Sequence, residues 1–230
     1  MQDRSANVLR KVLRVIMVIW AVLPVVFVAG GILFGVSIGT SSSSMVQLLI
    51  GVLAFIHHLL YWALIPFGTL VILWAAHTLK APSRIVVLCA GAVMVFAALW
   101  YIHMNSMLLH AMFATDHNPP FFGLPPLAVF LYVVLVALGS FLFAGGVLLQ
   151  KERRGVWTWT ASTVAFFTCM IVIVLCVFNK FLSYYQVYEI SVFVLVAVST
   201  LCLAIGLKRP RSAVGSACTE RTVSEDNVKT

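Results

Sequence analysis

Apolar residues in this chain fall in long unbroken runs, without the spaced positions of a half-buried surface element. Nearly every position from 15 to 207 belongs to one of six such runs or to a short connection between them: 15–38, 46–77, 85–114, 127–150, 156–178 and 187–207. A helix rises about 1.5 Å per residue, so about 20 apolar residues cross the roughly 30 Å of hydrocarbon in a bilayer. Each run is long enough. An open sheet would leave backbone groups unpaired in lipid, and barrel strands would alternate polar with apolar positions, which these runs do not. The pattern therefore predicts an all-α fold, an integral membrane bundle of six transmembrane helices in three hairpins. It divides the chain into an N-terminal segment (1–14), the six-helix transmembrane domain (15–207) and a polar tail (208–230) with no periodic apolar pattern, predicted to be disordered.

Composition agrees with lipid as the solvent. The 230 residues are 62% hydrophobic and 10% charged, with a mean hydropathy of +1.07, whereas soluble domains are roughly half apolar and about a quarter charged. No stretch remains for a separate enzymatic domain. The first run follows Arg10, Lys11 and Arg14 as a signal peptide would. At about 24 uncharged residues it is longer than a signal h-region and reads as a retained span.

The net charge of +8 would suit a nucleic-acid partner only if it formed a patch or one amphipathic face. The basic residues instead punctuate the runs, and no nucleic-acid partner is expected. Alternate placement of the connections puts all but one of the 15 Lys and Arg on one side, Lys180 being the exception. By the positive-inside rule that side is cytoplasmic, so both termini are predicted inside, in a plasma or bacterial inner membrane. Trp62, Trp100, Tyr101, Tyr184 and Tyr185 fall near predicted outer boundaries, and Trp74, Trp157 and Trp159 near inner ones, as an interfacial aromatic belt would.

Four of the five cysteines, Cys89, Cys169, Cys176 and Cys202, lie inside apolar runs, and Cys218 lies in the tail. None occupies a segment assigned outside, so no disulfide framework is expected. The outer loop from Asp116 to Pro126 carries two proline pairs and two phenylalanines, which makes it a stiff connector or a lid at the membrane surface.

Two constellations carry candidate chemistry. Gly31, Gly35 and Gly39 recur at every fourth position, baring a strip of backbone on the first helix. Such a strip serves tight packing inside the chain, or a homo-oligomer or membrane protein partner. The second constellation sets His57 and His58 on the second run against His103, Met107 and His110 on the third. The last three share one helical face with Phe96 and Trp100. If the hairpin turns at Ala81 and Pro82, His57 comes level with Met107 and His103 with Tyr61, about 30 Å from the inner surface. Helix rotation decides which of these side chains meet. Imidazole with thioether suits Cu(I), and paired imidazoles suit haem b. The plainer reading is of interfacial histidines presenting polar tips to water, with no cofactor.

Absences narrow the function. No Asp, Glu, Lys or Arg lies deep within a run, so the intramembrane acids and bases of ion-coupled carriers are missing. Serine nucleophile elbows, His-Glu-x-x-His zinc sites and phosphate-cradling glycine loops are missing as well. The expectation is a non-catalytic transport or binding component, or a subunit of a membrane complex. The alternatives are a haem b or copper protein with an outer-leaflet His/Met site, and a membrane enzyme using an outer-face histidine.

Overall fold

The computed structural model describes residues 2–38, 52, 59–114, 126–150, 153, 155–177 and 185–207, and side chains within 7–26, 29–30, 52, 59–106, 129–150, 153, 155–175 and 191–207. Among these residues the chain is all-helical, without strands. Its helices are α1 (Gln2–Ile38), α2 (Leu64–Thr78), α3 (Ser83–Ala114), α4 (Pro126–Leu148), α5 (Val156–Val177) and α6 (Tyr185–Gly206). A helical turn precedes α2, so its apolar stretch runs Leu59–Thr78.

Among the described residues, four helical stretches are long and apolar enough to cross a membrane: Leu59–Thr78, Ser83–Ser106, Val129–Leu148 and Val156–Leu175. In α6 the described apolar stretch is the shorter Ser191–Gly206. The first helix begins before the apolar run and carries Arg10, Lys11 and Arg14 on its early turns. Pro24 lies inside it, which leaves the Trp20 carbonyl without its helical donor.

Neighbouring helices set the topology. α1 packs on α2 and α6, α2 on α3, α3 on α4, and α4 on α6, closing a five-helix ring. α5 packs against α4 and α6 at the periphery. Only 28% of its apolar window is buried, against 56% for α4.

Close backbone approach holds the α2–α3 pair together. A Cβ added at Gly68 would stand 2.8 Å from the Gly91 carbonyl oxygen, and one at Gly91 would stand 2.6 Å from the Ile72 side chain. Glycine alone permits that crossing, and in lipid such contact between backbones is a main source of helix association. Hydroxyls that would be orphaned in hydrocarbon are taken up by carbonyls. Thr69, Thr78, Thr160 and Thr168 each donate to the carbonyl four residues earlier. Ser83 and Ser199 instead bridge helices, donating to Gly146 O and Ala161 O.

The core occupies the middle of the ring. Its largest fully buried side chains include Trp20, Trp74, Tyr61, Tyr132, Phe67 and Phe143. The expected aromatic belt is corrected at two positions: Trp74 is 0% exposed and Tyr101 5%. Trp74 lies near the end of its apolar run and Tyr101 near the middle of its own, and helix rotation turns both inward. Trp62, Trp157 and Trp159 are exposed, as a belt requires.

Candidate functional site

At one end of the bundle, four interhelical contacts gather the helix termini. Arg14 of α1 donates from Nε to Ala204 O in the last turn of α6, at 2.9 Å. A guanidinium there satisfies a carbonyl left open at the helix end and opposes the negative pole of α6. Ser83, opening α3, donates to Gly146 O near the end of α4. Gly206 closes on Thr158 at the start of α5, where an added Cβ would come within 2.8 Å of the threonine methyl. Arg153, in the α4–α5 connection, lies 5.2 Å over the Trp74 ring and donates to Gln150 Oε1 at 2.8 Å. Lys80, Arg84 and His77 are exposed around the same end.

Thr158 organises the start of α5. Its hydroxyl accepts from Gly155 N at 2.9 Å and lies within hydrogen-bond distance of the Arg153 and Gly155 carbonyl oxygens. This fixes the connection that carries Arg153. Along the outer side of α5 runs an open groove of about 530 Å³, lined by Gly155, Val156, Trp159, Thr160, Thr163 and Val164.

Farther along the bundle, the polar-tipped aromatics of three helices meet. Tyr61, in the helical turn that precedes α2, stacks on Tyr101 of α3, with centroids 3.4 Å apart and planes 2° from parallel. Tyr132 of α4 lies 4.7 Å from Tyr61 and 5.5 Å from Tyr101. Phe193 of α6 joins this group to Trp20 of α1, with ring centroids 5.8 Å from Tyr132 and 6.4 Å from Trp20. Phe67 and Phe143 carry the ring contacts on to Trp74 at the basic end. The centre of the ring is thus filled by side chains. Among the described residues the buried polar groups are serine, threonine and tyrosine hydroxyls and tryptophan N–H groups, and no charged side chain is buried.

The residues singled out from sequence are placed as follows. His103 is exposed, on the outward side of α3 with Phe96, while Ala97, Ala98 and Tyr101 turn inward. Met107 and His110 lie in the helical part of α3, but their side chains lie outside the described set, and His57 and His58 lie outside the described residues altogether. Among the described residues no three His, Cys, Asp or Glu side chains group to hold a metal ion. Tyr101, not His103, stacks on Tyr61, a register two residues away from the expected one. Gly31 and Gly35 are helical in α1, and Gly39 lies outside the described residues. Cys89, Cys169 and Cys202 are free thiols.

The tyrosine group was missed because periodicity within one run does not reveal rotation. A signal did exist: Tyr61 and Tyr101 stand equally far from Ala81 along the chain, which makes them level in an antiparallel hairpin. No protein-family model matches the chain, and no curated protein or solved structure matches it either.

Proposed function

We propose that this chain is a six-span integral membrane protein with both termini in the cytoplasm, in a plasma or bacterial inner membrane, acting as a non-catalytic binding or partner component of a membrane assembly. Length supports α1 and α6 as the further two spans. Gln2–Ile38 has 37 residues and Tyr185–Gly206 has 22, about 55 and 33 Å at 1.5 Å per residue, against roughly 30 Å of hydrocarbon. The grouping of Arg14, Lys80, Arg84 and Arg153 at one end of the bundle supports the orientation.

The observation that carries the functional reading is the filled ring. Carriers that couple to ions keep ionisable groups facing a watery path between helices. Here Trp20, Tyr61, Phe67 and Tyr132 occupy that place, each 1% exposed or less. A bundle so filled presents its outer surfaces, its loops and its basic end as the places where partners bind.

Reporter domains fused to the two termini are expected to answer from the cytoplasmic face, and answers from opposite faces would overturn the six-span reading. Extracted in mild detergent from its native membrane, the protein is expected to run in an assembly larger than one 25.3 kDa chain. A purified single chain carrying haem absorbance or stoichiometric copper would replace the assembly role with a redox one.

A further inference from the structure

The groove of about 530 Å³ on the outer side of α5 begins at Gly155 and Val156 and runs past Trp159 and Thr160 to Thr163 and Val164. It is open at its Gly155 end, where an added Cβ would meet nothing within 4 Å. Two of its polar groups are already committed within the chain. Thr160 donates to Val156 O, and the Gly155 N–H donates to Thr158 Oγ1. What remains for an occupant is a largely apolar channel walled by Val156, Trp159 and Val164.

Its length matches one leaflet. Val164 stands nine positions beyond Gly155, about 13.5 Å along the helix axis. A bilayer holds roughly 30 Å of hydrocarbon, so the acyl layer of one leaflet is about 15 Å deep. The groove starts where α5 starts, at the end of the bundle that gathers Arg14, Lys80, Arg84 and Arg153. Trp157 and Trp159 are exposed at that same end, as indole rings are beside lipid headgroups. A recess of this length, opening among headgroups, takes one extended acyl chain, and left empty it would forfeit the dispersion contacts along its walls.

Charge selects the headgroup. The segment leading into Gly155 reads Lys151, Glu152, Arg153 and Arg154, three bases against one acid. None of the described side chains is an Asp or a Glu, while Arg14, Lys80 and Arg84 add positive charge at the same end. Basic segments at a cytoplasmic surface attract acidic lipids. A zwitterionic headgroup would bring its own cation into that field.

We infer that the α5 groove binds one anionic phospholipid of the cytoplasmic leaflet, an inference that rests on the membrane reading above. One acyl chain lies along Val156, Thr160 and Val164, and the phosphate sits outside Gly155, at the end of the basic connection. Trp159, one turn deeper, walls the passage between the two. Free phosphate would leave the channel unfilled, so the site is committed to a lipid, with both its charge and its chain in use.

The test uses the full-length protein, purified from membranes in mild detergent and supplied with equal amounts of dioleoyl phosphatidylglycerol and dioleoyl phosphatidylcholine. Native mass spectrometry reads the bound lipid. Phosphatidylglycerol is expected to exceed phosphatidylcholine by roughly five-fold, the factor one basic side chain contributes beside an acidic membrane surface. Gly155→Phe, placed where added atoms meet open space, is expected to abolish the lipid adduct. Thr163→Phe, at an exposed groove position, is expected to do the same. Ile173→Phe, exposed on α5 outside the groove, is expected to keep the adduct. Lys151→Gln combined with Arg154→Gln is expected to bring the two lipids to equal retention. Equal retention by the parent overturns the anionic assignment. An undiminished adduct in either groove variant that keeps the parent's monodisperse peak overturns the site, and so does displacement of the lipid by inorganic phosphate alone. A chain recovered from the soluble fraction without detergent overturns the membrane reading instead, which tells the two failures apart.

Discussion

Tyr61 and Tyr101 lie face to face at the centre of the helix ring, their ring centroids 3.4 Å apart. They lock α2 to α3 in register, and Tyr132 and Phe193 close around them from α4 and α6. Tyr61→Ala is expected to open a cavity among four helices and to destabilise the bundle by roughly 3–5 kcal/mol, the range for large aromatic deletions in cores. Tyr61→Phe keeps the ring and should lose far less. Thermal unfolding in detergent, followed by loss of the monodisperse peak, ranks the two variants.

The Gly68–Gly91 crossing predicts the opposite kind of damage. Gly91→Val drives a side chain into Ile72 and the Gly68 carbonyl, and overpacking of this sort costs about 1–3 kcal/mol. Gly145→Ala is the control, because a Cβ at Gly145 meets nothing within 4 Å. The control should unfold at the parent temperature and Gly91→Val clearly below it.

The six apolar runs and their basic flanks were legible because burial in lipid is written into composition and run length. The five-helix ring, the peripheral place of α5 and the inward turn of Trp74 and Tyr101 were not. Each depends on how far a helix rotates about its axis, and in helices that are apolar all round no polar face reports that rotation. His103 illustrates the same limit: its shared face with Phe96 was readable, but that this face turns outward was not.

Arg14 has two roles that one substitution separates. Arg14→Ala removes the bond to Ala204 O and should destabilise the α1–α6 contact by about 1 kcal/mol, near the usual contribution of one interhelical hydrogen bond in a membrane. Orientation should not change, because Arg4, Arg10 and Lys11 still flank the first run. Terminal reporters combined with thermal unfolding check both halves.

Arg153→Ala is expected to loosen the α4–α5 connection by removing the cation from the Trp74 face, a contribution of about 0.5–2 kcal/mol. Arg153→Lys should recover part of it, and Trp74→Leu should cancel the difference between the two. A double-mutant cycle on unfolding midpoints gives the coupling directly, and a coupling of zero would reject the pair.

The contact between Arg14 and Ala204 joins residues 190 apart, so the ring closes on itself only when the last helix arrives. At synthesis rates of about 5–20 residues per second, the first helix waits roughly 10–40 s for its final neighbour. Throughout that interval the nascent chain holds Trp20 without its α6 neighbour Phe193, and whatever shelters that face during insertion must yield to α6 when translation finishes.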